Sequence, residues 1–266
     1  MDRLLTAARA FWNVPDGAEI VAANGASALI AAMPHLVRQI QNDVDGETYW
    51  EKNVVCIPGP TYNEHAAAFS AQGWDVRERG KARVHVLVHP NNPDGQMWAT
   101  NPHPCTTIID ESFCDVVPEA SQVRIAAHPE KVVLKSFGKF WGLAGARLGF
   151  AICTPDLARK VQDQLGPWAV SGPALEIGAR ALEDVAWAEA TRVRLAADAK
   201  RLDDLVGWPL VGGTDLFRTY EVPDAAAMQD KLARGHVWSR IFPYSKTWIR
   251  LGLPAPDRWG QLEAAL

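Results

Sequence analysis

Five short runs rich in β-branched residues, alternating with stretches of helical period, constrain this chain more than any other feature. They are "NVVCIPG" (53–59), "ARVHVLVHP" (82–90), "CTTIIDE" (105–111), "KVVLKS" (131–136) and "ARLGFAI" (146–152), each bounded by Pro, Gly or charge. Between them residues 27–41 suit a helix, and "YNEHAAAFSAQG" (62–73) reads as a helix closed by Gly. Such alternation predicts an α/β domain with a mostly parallel sheet and helices on both faces. From 155 the pattern changes to long helical segments, 173–184 and 185–206, and then to a small α+β stretch ending in "RIFPYSKTWIRLGLP". The expected division is a large domain over 1–165 and a small C-terminal domain over 166–266.

Bulk composition narrows the function. With 266 residues, 48% of them hydrophobic, the chain can bury a substantial core. A formal net charge of -4 supplies no basic face for nucleic acid or an anionic membrane. Apolar stretches such as 20–34 are too short, and too interrupted by Asn and Gly, to span a bilayer. The N-terminal "MDRLLTAARAF" lacks a signal-peptide layout, so the expected location is cytoplasmic. Cys56, Cys105, Cys114 and Cys153 show no CxxC or CxxH spacing and read as reduced packing residues, with no metal site expected.

In an open α/β sheet, ligands bind beyond the carboxyl ends of the strands. The strand at 84–88 is followed by "HPNNPDG", the one at 106–109 ends in Asp110, and the one at 131–135 runs into Ser136 and Lys139. An amide, a carboxylate, a hydroxyl and an amine are thereby delivered to one rim. Singly these residues are ordinary: "NNPDG" is a turn sequence, Asp110 could cap the next element, and Lys139 and Arg147 could be solvated surface charges.

Together they resemble the pyridoxal-phosphate enzymes of the aspartate aminotransferase fold. The resemblance rests on "NNPDG", "DESF" and "SFGKFWGLAGARLGF" in that order and covers almost the whole chain from about residue 20. It implies that Lys139 forms the Schiff base with the cofactor aldehyde. Arg147, Ser136 and the turn of Gly25, Ala26 and Ser27, which opens a helix, would hold the cofactor phosphate, a dianion suited to guanidinium, hydroxyl and helix N–H donors. Asp110 would keep the pyridine nitrogen protonated, Asn92 would donate to the phenolic oxygen, and Tyr62 would stack on the ring. Arg250 matches the residue that pairs with a substrate α-carboxylate, and Arg240, ten residues earlier, could meet a substrate phosphate.

Two features depart from the family pattern. Phe113 stands where many members carry Tyr, which removes a hydroxyl from the phenolic oxygen. Only 23 residues precede Asn24, so the N-terminal arm that helps close the site in relatives is expected to be truncated. Within the family, "DESFCDVVPEAS" and "FPYSKTWIRLGLP" look most like the threonine-phosphate decarboxylases of cobalamin biosynthesis. That likeness implies decarboxylation of L-threonine O-3-phosphate to (R)-1-amino-2-propanol O-2-phosphate. The alternatives are an aminotransferase acting on histidinol phosphate or an aromatic amino acid, and a non-catalytic relative that keeps the fold. A homodimer is implied by the resemblance.

Overall fold

The β-branched runs form strands, and their order in the sheet decides which residues share an edge. The computed structural model describes residues 1–43, 53–99 and 105–266. The chain divides into two compact units, Met1–Pro90 with Met97–Val185, and Asn91–Gln96 with Ala186–Leu266.

The first unit contains α1 (Asp2–Phe11), β1 (Glu19–Ala23), α2 (Ala26–Asp43), β2 (Val54–Cys56), α3 (Asn63–Ala71), β3 (Asp75–Arg77), β4 (Val84–Val88), β5 (Thr106–Asp110), β6 (Lys131–Ser136), β7 (Gly149–Cys153), α4 (Pro155–Leu165) and α5 (Gly172–Glu183). Its seven strands lie in the order β1-β7-β6-β5-β4-β2-β3. Strands β3, β2, β4, β5 and β6 run parallel, while β7 is antiparallel to both β6 and β1. The architecture is thus the α/β one the alternation predicts. The sequence reading names neither β1 nor β3, and the run beginning at 146 enters its strand only at Gly149, because Arg147 sits in the left-handed region at φ 50°.

One face of this sheet buries Ile108, Val132 and Leu134 against Leu29, Met33, Leu36 and Val37 of α2, Phe69 of α3 and Leu157 and Val161 of α4. The α2 positions recur at three- and four-residue intervals, so one helical stripe faces the core. The opposite face carries the aromatic group of Trp12, Phe137 and Phe150, with Trp12 and Phe150 edge to face at 5.0 Å. Arg3 of α1 ties that helix to α5 through Glu176 and Glu183 at 3.0 and 2.6 Å. All four cysteines are free and buried.

The second unit holds α6 (Val185–Val206, whose first residue belongs to the first unit), β8 (Leu210–Thr214), β9 (Phe217–Glu221), α7 (Ala225–Arg234), β10 (Arg240–Phe242), β11 (Ser245–Gly252) and α8 (Trp259–Ala265). Its four strands are ordered β10-β11-β9-β8, all antiparallel, over a core of Leu202, Tyr220, Ile249, Leu251, Trp259 and Leu262. Asp224 caps α7 by accepting from Ala227 N–H at 3.0 Å. No described helix is long and apolar enough to cross a membrane.

Gly149 shows how tightly the first sheet is built. A Cβ there would lie 2.3 Å from the backbone nitrogen of Ala26, where α2 begins. Gly149→Ala is therefore expected to cost about 1–3 kcal/mol, because backbone rather than a flexible side chain must yield. Urea unfolding checks this, and an unchanged midpoint would contradict it.

Candidate cofactor site

Antiparallel insertion of β7 between β6 and β1 brings one group of predicted residues together. Ser136 at the end of β6 pairs in register with Gly149, and Gly149 pairs with Ala23 at the end of β1. Gly25 lies two residues beyond Ala23 and Arg147 two before Gly149, so both ends turn over the same edge. Gly25 has φ +84°, and a Cβ on it would come within 2.5 Å of an Arg147 guanidinium nitrogen. The guanidinium therefore lies against the bare Gly25 backbone, beside the first turn of α2, where Ala26 and Ser27 bring helix N–H groups that lack intrahelical partners. Ser136 Oγ accepts from Gly138 N–H at 3.2 Å, which points its hydroxyl along the turn leading to Lys139. A guanidinium, a hydroxyl and a helix N-terminus at one edge make a donor-lined cradle, a chemistry that suits a phosphate.

Asp110 ends β5 with its side chain on the α3 side of the sheet. It is 2% exposed, and its Oδ2 accepts from Nε2 of His65 at 2.8 Å, with His65 wholly buried. Its Oδ1 accepts from Ser112 N–H at 2.9 Å and Ser112 Oγ at 2.5 Å. Burial alone would raise the carboxyl's pKa, but the His65 imidazole and the two Ser112 donors together hold it below its ordinary value. Asp110 is thus kept as a buried anion, the species needed opposite a protonated ring nitrogen. Tyr62 stands immediately before α3, and its ring meets the His65 ring edge to face at 6.2 Å. The exposed Lys139 amine lies 5.5 Å from the centre of the Phe113 ring.

The sequence reading missed His65 and Ser112. The signal for His65 was present, since "YNEH" places it three residues after Tyr62 on a segment read as helical, hence on the same face. Ser112 lay inside the quoted "DESF" but gave no sign that its hydroxyl turns back onto Asp110.

Asn92, Arg240 and Arg250 belong to the second unit. Arg250 donates to Asn92 Oδ1, so the amide's remaining polar group, Nδ2, is a donor. The segment bearing Asn92 is fixed by Thr219 Oγ1, which donates to Pro93 O at 2.5 Å. Arg240 and Arg250 are direct register partners across β10 and β11, and the Arg250 guanidinium lies 5.0 Å from the Phe217 ring centre. Burial first and the Arg240 charge second push Arg250 down to about 10. Two guanidinium groups placed opposite each other repel unless an anion lies with them, which suits a ligand carrying more than one negative group.

His65→Phe should raise the pH of acid unfolding. A carboxyl with a depressed folded pKa adds stability above its unfolded value of about 3.9, and that stability is lost as pH falls through the folded value. Without the imidazole, burial acts on Asp110 with less opposition. The variant should lose about 2 kcal/mol at pH 7 and show its acid transition at higher pH than the parent. Equal acid midpoints by circular dichroism would contradict the assignment.

The geometry agrees with comparisons against known proteins. The family described as aminotransferase class I and II matches residues 2–260. The threonine-phosphate decarboxylase of Pseudomonas aeruginosa is 38% identical over 235 residues, covering 80% of this chain and 71% of that protein. A threonine-phosphate decarboxylase from Sinorhizobium sp is 37% identical over 235 residues, covering 79% and 69%. Among solved structures, histidinol-phosphate aminotransferase from Sinorhizobium meliloti in complex with pyridoxal-5'-phosphate superposes with a TM-score of 0.81 at 18% identity, covering 100% of this chain and 80% of that one. A donor-lined cradle, a buried anion and a lysine beyond the strand ends thus stand in a sequence that matches one family along nearly its whole length, and the chain belongs to the class I and II aminotransferases, a family of pyridoxal-phosphate-dependent enzymes.

Proposed function

We propose that this chain decarboxylates L-threonine O-3-phosphate, releasing (R)-1-amino-2-propanol O-2-phosphate for cobalamin biosynthesis, with pyridoxal 5'-phosphate as cofactor. The observation that carries the reading is the match at 37–38% identity to two threonine-phosphate decarboxylases over about four fifths of the chain.

Bound at the cradle, the cofactor would supply an electron sink for the pair released when a bond to the substrate's α-carbon breaks. In this reading Arg147, Ser136 and the Gly25–Ala26–Ser27 turn hold its phosphate, supported by the close approach of the guanidinium to Gly25. Asp110, kept ionised by His65 and Ser112, stabilises the proton on the ring nitrogen. Tyr62 would stack on the cofactor ring, and Asn92 would donate to its phenolic oxygen through Nδ2. Lys139 would hold the cofactor through its aldehyde, and the lysine side chain or a water would supply the proton that replaces carbon dioxide on the α-carbon.

Arg250 takes the substrate carboxylate and Arg240 the substrate phosphate. Their opposed placement supports a substrate with two anionic groups, as L-threonine O-3-phosphate has. Phe113 offers Lys139 a ring face and no hydroxyl. A cytoplasmic homodimer belongs to the same reading, and sedimentation analysis tests the dimer.

The test is carbon dioxide release from L-threonine O-3-phosphate by protein reconstituted with pyridoxal 5'-phosphate. Turnover is expected, with a loss of at least about 1,000-fold in Lys139→Ala. Arg240→Ala should raise KM about 10- to 100-fold with little change in kcat, the signature of lost binding to a group remote from the breaking bond. Conversion of the cofactor to its aminated form without carbon dioxide release would instead point to an aminotransferase acting on histidinol phosphate or an aromatic amino acid. Absence of both activities would favour a non-catalytic relative.

A further inference from the structure

Behind the candidate site, on the opposite face of the same two strand ends, lies a second buried group of charges with no place in the proposed chemistry. Lys135 is 1% exposed and contacts Glu111 Oε2 at 2.7 Å and Asp115 Oδ1 at 3.1 Å, carboxylates that are themselves 0% and 5% exposed. Glu111 accepts from Ser121 Oγ at 2.7 Å and from Gln122 N–H. Asp115 accepts from Trp12 Nε1 at 3.0 Å and from Trp141 Nε1 at 2.8 Å. The Lys135 ammonium also lies 5.5 Å from the centre of the Trp12 ring. Nearby burial raises the Cys114 thiol pKa, and the two carboxylates raise it further, so it stays a neutral packing group.

The sequence neighbours of these charges are the candidate site residues. Glu111 follows Asp110 and Lys135 precedes Ser136, and strand alternation sends adjacent side chains to opposite faces. Trp141 lies two residues beyond Lys139, in a tightly closed turn. Gly142 N–H donates to Lys139 O, and Leu143 N–H to Phe137 O, each at 3.0 Å. The Trp141 ring stacks on Phe137 at 5.1 Å with 13° between planes, and meets Phe140 edge on at 5.1 Å. Three buried rings, Phe137, Phe140 and Trp141, therefore flank Lys139 in the chain, and a hydrogen bond to Asp115 fixes the last of them.

The geometry points to the Lys135–Glu111–Asp115 triad as a positioning device for the Lys139 turn, with the Trp141 indole N–H as the link between them. A buried ion group is a poor source of net stability, since desolvation of its charges offsets most of their attraction. What it supplies is direction: the ion pair with Lys135 anchors Asp115 through Oδ1, and the Trp141 indole that donates to Oδ2 is held in turn. The turn then presents Lys139 in one orientation before any ligand arrives, which is the preorganisation a covalent step needs. Trp141 is a positioning residue on this account, acting through the turn.

The inference rests on the reading that Lys139 carries the cofactor, and the experiment separates the two. Trp12→Phe and Trp141→Phe each remove one indole donor from Asp115 and leave a smaller ring in its place. Each should lower Tm by a similar amount, on the order of 5 °C. Pyridoxal 5'-phosphate is added to cofactor-free protein well below either Tm. The lysine amine condenses with the aldehyde with loss of water, and borohydride at timed intervals reduces the C=N bond to a stable secondary amine, located by mass spectrometry. The expected result is labelling of Lys139 slowed about tenfold in Trp141→Phe and unchanged in Trp12→Phe, with kcat following the labelling rate and KM little altered. Equal rates in the two variants would overturn the positioning role while leaving Lys139 as the cofactor lysine. Failure of the parent protein to label at Lys139 would remove the cofactor reading and this inference with it.

Discussion

The structure depends on how strand ends are brought to one edge. Parallel pairing of β4, β5 and β6 aligns their carboxyl ends, and the register of Asp110 with Leu134 places the anion of β5 beside the turn that leads to Ser136 and Lys139. Reversal at β7 then returns the chain to the same edge, so that Arg147 arrives from one side and Gly25 from the other. No single segment contains the cradle. It exists because β7 pairs antiparallel with both of its neighbours, and because Gly25 and Gly149 carry no side chain where backbones and the guanidinium meet.

The pleat separates two buried charge groups that would interfere on one face. Asp110 and His65 occupy the side facing α3, with Ser112 completing the shell of the carboxylate. Lys135, Glu111 and Asp115 occupy the other side, closed by Trp12 and Trp141. Each group satisfies its charges locally, which is what keeping ions in a low-dielectric interior demands. The first keeps Asp110 ionised, and the second ties β5 and β6 to the indoles of Trp12 and Trp141.

Much of this was legible because the chemistry sits at strand ends, where a change of period is followed at once by a polar residue. Asp110, Ser136, Lys139 and Arg147 were all readable in that way, and the Gly25–Ser27 turn was readable as a helix start. Five strands and the helices 26–43, 63–71, 172–183 and 185–206 fall close to where the periodicity put them. β1 and β3 were not legible: β1 reads "EIVAA", which helix and strand share, and β3 has three residues. The late start of β7 depends on a left-handed arginine that no pattern announces. His65 could have been found from its spacing to Tyr62. The Lys135 triad could not, because three charged residues in apolar surroundings are indistinguishable in sequence from solvated ones until tertiary packing buries them.

We propose that the edge formed by Gly25, Ser136 and Arg147 holds the phosphate of a pyridoxal cofactor. An equilibrium titration of the cofactor-free protein with pyridoxal 5'-phosphate and with pyridoxal, in the parent and in Arg147→Met, tests it most directly. The predicted result is at least about 100-fold tighter binding of the phosphorylated compound, most of that advantage disappearing in the variant. Equal affinity for the two compounds in the parent protein would contradict it.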